Sequence, residues 1–542
     1  CRIASWATPE DTDTATIKND IAELNANAAL LALDLSREIS TVASANVRHQ
    51  FATHAQKSNR RGQRCLRNLT DFVMARARRA GHYASLVQQD PSAPTNGRAP
   101  TKMRVTSDPK EVATGLVKHF FEWMGGNKTF WFTGTAIDSN GPAGKELRRS
   151  ILDGTLTDLE AAGIPIRFKP VIAALRRVKG AGADLYKNVL CEITDEEWSR
   201  KLATTKKGTA PGLSRETIDM LAALSPASSS LLRRVMNLML RSRRVFSQWL
   251  RRAICPVPKV VGNPDVKLSR PLTLLSVSGK VFWSILSGRV TTIWRENDLL
   301  QRQQYGFRQG VSTDEPLIIA TLAAEQCFDL QQPLAELSQD VSQAFDAVAR
   351  SFKSLSLGRL GVPDDYCELY ESMDVGNQTT VLTAYGTSAD VLGDELGIFE
   401  CVRGYAQGCT ASASKGWNSV YDVLLTMQNT IGVDGGTFRV SGDEDGECDR
   451  STLAFADDGT YLAGGQCTTS HRRSAELKLA VASLYFDFMG IKFNADKTQC
   501  CDMAFPEASG AYTSAAEDND WCPYTYDLNV LVEGGELNLL SP

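Results

Sequence analysis

Histidine is scarce in this chain, with five among 542 residues, and none of the 13 cysteines stands in a Cys-x-x-Cys spacing. Together these exclude the closely spaced ligand sets of a structural zinc site. An odd, scattered set of cysteines also argues against a disulfide framework and for reduced thiols in an intracellular protein. No run of 18 apolar residues occurs, so no membrane-spanning helix is expected. The first residues show no signal-peptide pattern and no internal repeat is visible. Beyond residue 500 there are eight acids and no Lys or Arg. A start at Cys1 and an ending in "GGELNLLSP" fit a piece of a longer reading frame.

What is present is a polar division. The net charge is −4, but residues 1–300 carry 45 Lys and Arg against 27 Asp and Glu, whereas residues 301–542 carry 14 against 36. A basic half suits a polyanionic partner, and an acidic half can supply metal-binding carboxylates. The length is too great for one ordinary domain, and a hydrophobic content of 43% is enough for sizeable cores. Residues 14–90 have helical periodicity, with a strongly basic stretch "KSNRRGQRCLRNLTDFVMARARRAGHY". Residues 88–102 have the composition of a linker, and 433–450 that of an exposed acidic insertion. Residues 105–190 mix helices and turns around no recognisable motif.

The chemistry concentrates in two places. "STLAFADDGTYLAGG", residues 451–465, reads as a hairpin with Asp457 and Asp458 at its tip and Gly459 free to take positive φ. Two adjacent carboxylates raise each other's pKa unless a cation lies between them. "PLAELSQDVSQAFDAVARSFK" reads as a short strand ending at Asp340, followed by a helix from Ser342 onward. If the two strands are neighbours, three carboxylates converge at one sheet end. Mg²⁺ is the natural occupant of such a cluster, which suits nucleotidyl transfer. Each residue also has a plainer reading. The Asp-Asp-Gly is a common solvated turn, and Asp346 is a first-turn helix acid.

The order of motifs then resembles that of the reverse transcriptases of non-LTR retrotransposons, the long interspersed element type. "TAPGL", "PVPK…LSRPLTLLSVSGKVF", "QYGFRQGVSTDEPL", "DVSQAFD", "GYAQGCTASASKGWNSVYD", "FADD" and "MGIKFNADKTQC" fall in family order across roughly residues 195–540. The resemblance implies Asp340, Asp457 and Asp458 as the catalytic acids. The metal-binding residues would be Asp340, Val341, Asp457 and Asp458, holding two Mg²⁺ ions, with Mn²⁺ as the alternative. Lys259 and Arg270 would hold the triphosphate, and Gln407 and Gly408 would contact nucleotide and template. Lys497 would donate a proton to pyrophosphate. Phe345 would bar a 2′-hydroxyl, its plainer reading being a core aromatic. The family's Asp in the first motif is missing, and its Pro-Leu-Ser-Pro is Thr-Ala-Ser-Ala here.

The implied fold is α+β, with right-hand polymerase fingers and palm, helices on one face of an antiparallel palm sheet, and a mainly helical N-terminal region. Expected boundaries are 1–100 (basic helical region and linker), 101–194 (pre-polymerase), 195–332 (fingers) and 333–542 (palm), with no thumb. The expected substrates are template RNA, DNA primer and dNTPs, with no membrane and a nuclear and cytoplasmic location. Three other readings stand beside this one: an RNA-templated RNA polymerase, a group II intron type maturase, and a non-catalytic nucleic-acid-binding relic. Ala456 stands where RNA-templated RNA polymerases usually carry Gly before the paired acids, and the three acids are intact.

Overall fold

The computed structural model describes residues 83, 85–89, 103–126, 129–139, 141–259, 263–409, 411–430, 451–464, 468–493 and 497–503. The expected basic helices up to residue 82, the acidic stretch 433–450 and the chain beyond 503 lie outside these residues. The described part is α+β, as expected. Among the described residues no helix is long and apolar enough to cross a membrane.

Strand β1 (Leu86–Gln89) pairs antiparallel with β2 (Met103–Thr106). Helix had been expected up to residue 90. The strand forms instead because Leu86 is buried with Tyr83, Val112, Leu116 and Phe120, and an extended pair sends alternate residues into that cluster. Helix α1 (Pro109–Met124) starts where Asp108 accepts from the Glu111 N–H and Pro109 occupies the first turn, a standard N-terminal combination.

Strands β3 (Arg251–Pro258), β4 (Ser269–Leu274), β5 (Leu334–Gln339), β6 (Val341–Ser342), β7 (Gln378–Thr383) and β8 (Gly386–Thr387) come next. They are followed by β9 (Thr452–Phe455), β10 (Asp458–Gly464), β11 (Lys492–Phe493) and β12 (Gln499–Met503). One sheet runs β4-β3-β7-β8 and is mixed, since β3 and β7 are parallel. The other runs β12-β5-β10-β9 with every pairing antiparallel. A short pair, β11 and β6, extends from its end.

Alternation along the antiparallel sheet explains its burial. Ala335, Leu337, Ala454, Tyr461 and Ala463 face the main core. There they meet helices α6 (Asn418–Thr430) and α7 (Thr468–Met489), of which α7 packs directly on β5 and β10. Leu334, Leu453 and Leu462 face the opposite way, onto Tyr305, Ala323 and Cys327. Ala323 and Cys327 belong to the helix Asp314–Asp329, which covers that second face. Helices therefore cover both faces of the sheet, where one had been expected, because both sets of alternate residues are apolar.

The expected continuous helix after Asp340 is broken in two. Ala344–Ala347 makes one short turn and Arg350–Arg359 the helix proper. The interruption follows from outside contacts. The Val348 carbonyl accepts from the Gly404 N–H, and Ala349 bridges to Arg403, so both residues are drawn into extended pairing.

Arg359, at the end of that helix, is buried with Asp422 of α6, each side chain 2% exposed. It also donates to the Ala174 carbonyl and the Thr426 hydroxyl. Arg359→Met should strand the Asp422 charge in the core. Breaking such a pair costs about 3–5 kcal/mol, which urea denaturation would register as a lowered midpoint with an unchanged slope.

Candidate active site

The acid pair sits on an unusual turn. Asp458 pairs with Phe455, which leaves Ala456 and Asp457 as a two-residue connection between β9 and β10. Positive φ had been expected at Gly459. It falls instead on Ala456, at φ 60°, while Gly459 is an interior residue of β10 opposite Ala454 and Gln339. A left-handed alanine costs of order 1–3 kcal/mol and persists only where the surroundings over-determine it.

Two side chains do so. Gln304 clamps the Ala456 peptide from both ends, accepting from its N–H and donating to its carbonyl, each at 3.0 Å. The Trp417 indole N–H donates to the same carbonyl at 2.7 Å. Gln304 is itself fixed by the Gly306 N–H at 2.8 Å. Gly306 has to be glycine, since a Cβ there would lie 2.3 Å from the Ala456 nitrogen. None of Gln304, Gly306 and Trp417 was identified from the sequence as a site residue. Their signal was present in "QYGF" and "SKGW", but only the fold shows what they hold.

Asp340 lies between β5 and β6, so the strand-end position is as expected. The register that sets Gly459 opposite Gln339 brings Asp458 alongside Asp340. Burial pushes the Asp457 carboxyl above the ordinary range, and the charges of Asp458 and Asp340 add to this, while a backbone hydrogen bond and Arg270 pull it down. Burial also raises Asp458, Asp340 raises it further, and Lys497 opposes both. The Lys497 ammonium stands 3.6 Å from the Asp340 carboxylate. Among the described residues no group of three acidic, His or Cys side chains is gathered tightly enough to form a metal cage. The three acids are thus neighbours across a shared cleft, their mutual repulsion only partly offset by Arg270 and Lys497.

That cleft has a volume of about 640 Å³ and is lined by every site residue expected from the sequence: Lys259, Arg270, Asp340, Val341, Phe345, Gln407, Gly408, Asp457, Asp458 and Lys497. Lys267 and Trp123 also line it, and neither was expected there. Trp123 comes from α1, within the stretch that carried no motif. Lys259 and Arg270 lie just after β3 and on β4, which brings fixed positive charge into the cleft that the acids line. Phe345 lines the cleft with its ring stacked on Trp417 at 4.8 Å and met edge-on by Phe307 at 5.9 Å. It is a wall with a packed back. Gly408 takes φ 130°, and a Cβ there would lie 2.5 Å from the Thr273 carbonyl, so the segment lies flush against β4. Asp346, read from sequence as a helix first-turn acid, is in fact fully buried, and burial pushes its carboxyl up to about 7.

An antiparallel sheet with acids at a hairpin turn and a strand end, sharing a cleft with Lys and Arg side chains, is an arrangement that suits nucleotidyl transfer. Comparison with known proteins narrows the class. Residues 258–514 match the family described as Reverse transcriptase (RNA-dependent DNA polymerase). A stretch of 141 residues is 32% identical to "Probable RNA-directed DNA polymerase from transposon BS" of Drosophila melanogaster, covering 26% of this chain and 16% of that relative. Residues 258–514 are thus similar to a reverse transcriptase domain, and the chain spans about a sixth of the length of the transposon polymerase it matches.

Two outcomes follow from the turn. Ala456→Gly should be tolerated, whereas Ala456→Val, with a β-branched side chain in the left-handed region, should lower the thermal midpoint by several degrees. The raised carboxyls also set a pH dependence. A carboxyl whose pKa is higher folded than unfolded stabilises the fold most below its unfolded pKa, and that stability is lost as pH rises through the folded value. Asp457→Asn should therefore raise the unfolding temperature at pH 7 without divalent cations, and the gain should vanish near pH 3. A gain that persists at low pH would show that charge is not its source.

Proposed function

We propose that this protein copies RNA into DNA, adding dNTPs to a primer annealed to an RNA template. The observation that carries this is the convergence of ten residues from six separated stretches, acids and cations among them, on one cleft. Residues 195–332 serve as fingers and 333–542 as palm, with the basic N-terminal region binding nucleic acid through its phosphates. Lys259, Lys267 and Arg270 hold the triphosphate by fixed charge. Phe345 stands beneath the sugar, where Trp417 behind it keeps the ring from yielding to a 2′-hydroxyl. Lys497 delivers a proton to the departing pyrophosphate.

The donor set suits a hard divalent cation such as Mg²⁺. Asp340, Asp457 and Asp458 offer carboxylate oxygens whose repulsion a cation would relieve, and Val341 adjoins them on β6. Such ions, when bound, lower the pKa of the attacking hydroxyl and stabilise the leaving oxygen.

Primer extension on poly-rA/oligo-dT tests the reading. The wild-type protein should incorporate dTTP and not UTP, and Asp340→Asn or Asp457→Asn should abolish extension in a folded protein. A preference for UTP would indicate an RNA polymerase, and no extension at all a binding relic. Phe345→Val should move the dCTP/CTP ratio of kcat/KM toward CTP by more than the ~100-fold that an apolar wall alone discriminates. An unmoved ratio would return Phe345 to the core.

A further inference from the structure

Asp346 follows Phe345 in sequence and, like it, borders the cleft. Its side chain is buried, at 3% exposure. Its carboxylate faces the amide of Gln407, whose Nε2 donates to Oδ1 at 3.0 Å and to Oδ2 at 2.8 Å. Both partners are held independently. The Asp346 N–H donates to the Gln343 carbonyl, and the adjacent Phe345 carbonyl accepts from the Tyr405 N–H. The Gln407 carbonyl accepts from the Thr273 N–H at 2.6 Å. Gly404 presses on the Asp346 backbone so closely that a Cβ would lie 2.6 Å from its carbonyl oxygen. The side-chain pair therefore joins two rigid backbone segments, and neither partner can drift.

A primary amide has two faces of opposite character, a donor nitrogen and an acceptor oxygen. Which of them meets a ligand depends on what holds the other. Here both Asp346 oxygens accept from the nitrogen, so that is the end of the amide they hold. Gln407 lines the cleft, and with Nε2 spent on Asp346 the group it can offer there is the carbonyl oxygen Oε1. We infer that Asp346 is a positioning residue that locks the Gln407 amide so that its Oε1 faces the bound nucleotide as a hydrogen-bond acceptor. The nucleotide group that meets it is then a hydroxyl or an N–H donor, not a phosphate oxygen, and the tie keeps the opposite amide face, which would attract phosphate, out of the cleft. This rests on the reading of the cleft as a dNTP site.

The test compares the full chain as wild type, Asp346→Asn, Gln407→Ala and the double variant Asp346→Asn/Gln407→Glu. The double variant reverses the hydrogen bond and leaves the second Glu oxygen as acceptor, and its net charge equals that of the wild type. The probe is dATP, titrated by calorimetry onto protein bound to an RNA template and a dideoxy-terminated DNA primer, with unfolding curves as a check on the fold. Asp346→Asn should weaken dATP binding roughly tenfold, as should Gln407→Ala, the loss expected for one hydrogen bond. The double variant should recover to within about threefold of wild type, which a merely structural role for Asp346 would not produce. Unchanged binding in Asp346→Asn, or no recovery in the double variant, overturns the inference while leaving the polymerase reading intact. A wild-type protein that binds no dATP overturns both. Should Asp346→Asn not fold, the double variant decides alone: binding near wild type supports the tie, and tenfold weaker binding overturns it.

Discussion

Everything about the cleft depends on one peptide unit. Ala456 adopts a conformation that alanine resists, and that distortion is what turns Asp457 and Asp458 toward the end of the sheet. The distortion survives because Gln304 and Trp417 hold the peptide from outside the hairpin. Trp417 also backs Phe345, so one indole ring supports both the acid turn and the wall opposite it. A substitution at Trp417 would therefore disturb two functional elements at once.

The electrostatics follow from that geometry. Three acids are brought together, and burial, with the neighbouring negative charge adding to it, raises the proton affinity of Asp457 and Asp458. This opposes folding and suits a site that takes up cations. Nearby cations on flexible, exposed side chains moderate the repulsion without neutralising it, as with Lys497, 63% exposed. Exposed pairs of this kind contribute little stability, so their place here is explained by the ligand more than by the fold.

The floor of the cleft is anchored by a buried polar network further back. Lys353 donates to Asp374 at 2.6 Å and to the Gly404 carbonyl at 2.5 Å. Arg350 reaches the Asp374 and Cys401 carbonyls and the Glu400 carboxylate. These bonds fix residues 400–404, which lead into Gln407 and Gly408 and rest on β4 through Thr273. Burial holds the Lys353 pKa down, although the Asp374 carboxylate pulls it back up. The network is worth its desolvation only if every member stays paired.

Local sequence determined the strands and helices whose signal lies in neighbouring residues. The alternation in "LAFADDGTYLA" specified β9 and β10, and the strand ending at Asp340 was equally plain. The ordered motifs, read by resemblance, supplied site residues that the structure brings to one cleft. What sequence could not show were the partners of those residues. Gln304 grips a peptide 152 positions away. Gly459 looked like the turn's flexible point, yet the fold assigns positive φ to Ala456, because the strand register, not glycine's freedom, decides where the chain reverses. Asp346 resembled a helix acid until the segment carrying Gln407 was laid against it. Trp123 came from a stretch with no motif at all. Periodicity and turn chemistry act between adjacent residues and are written in their order. Bracing, burial and shared charge act between segments that only the folded chain brings together, and so only the tertiary structure decided them.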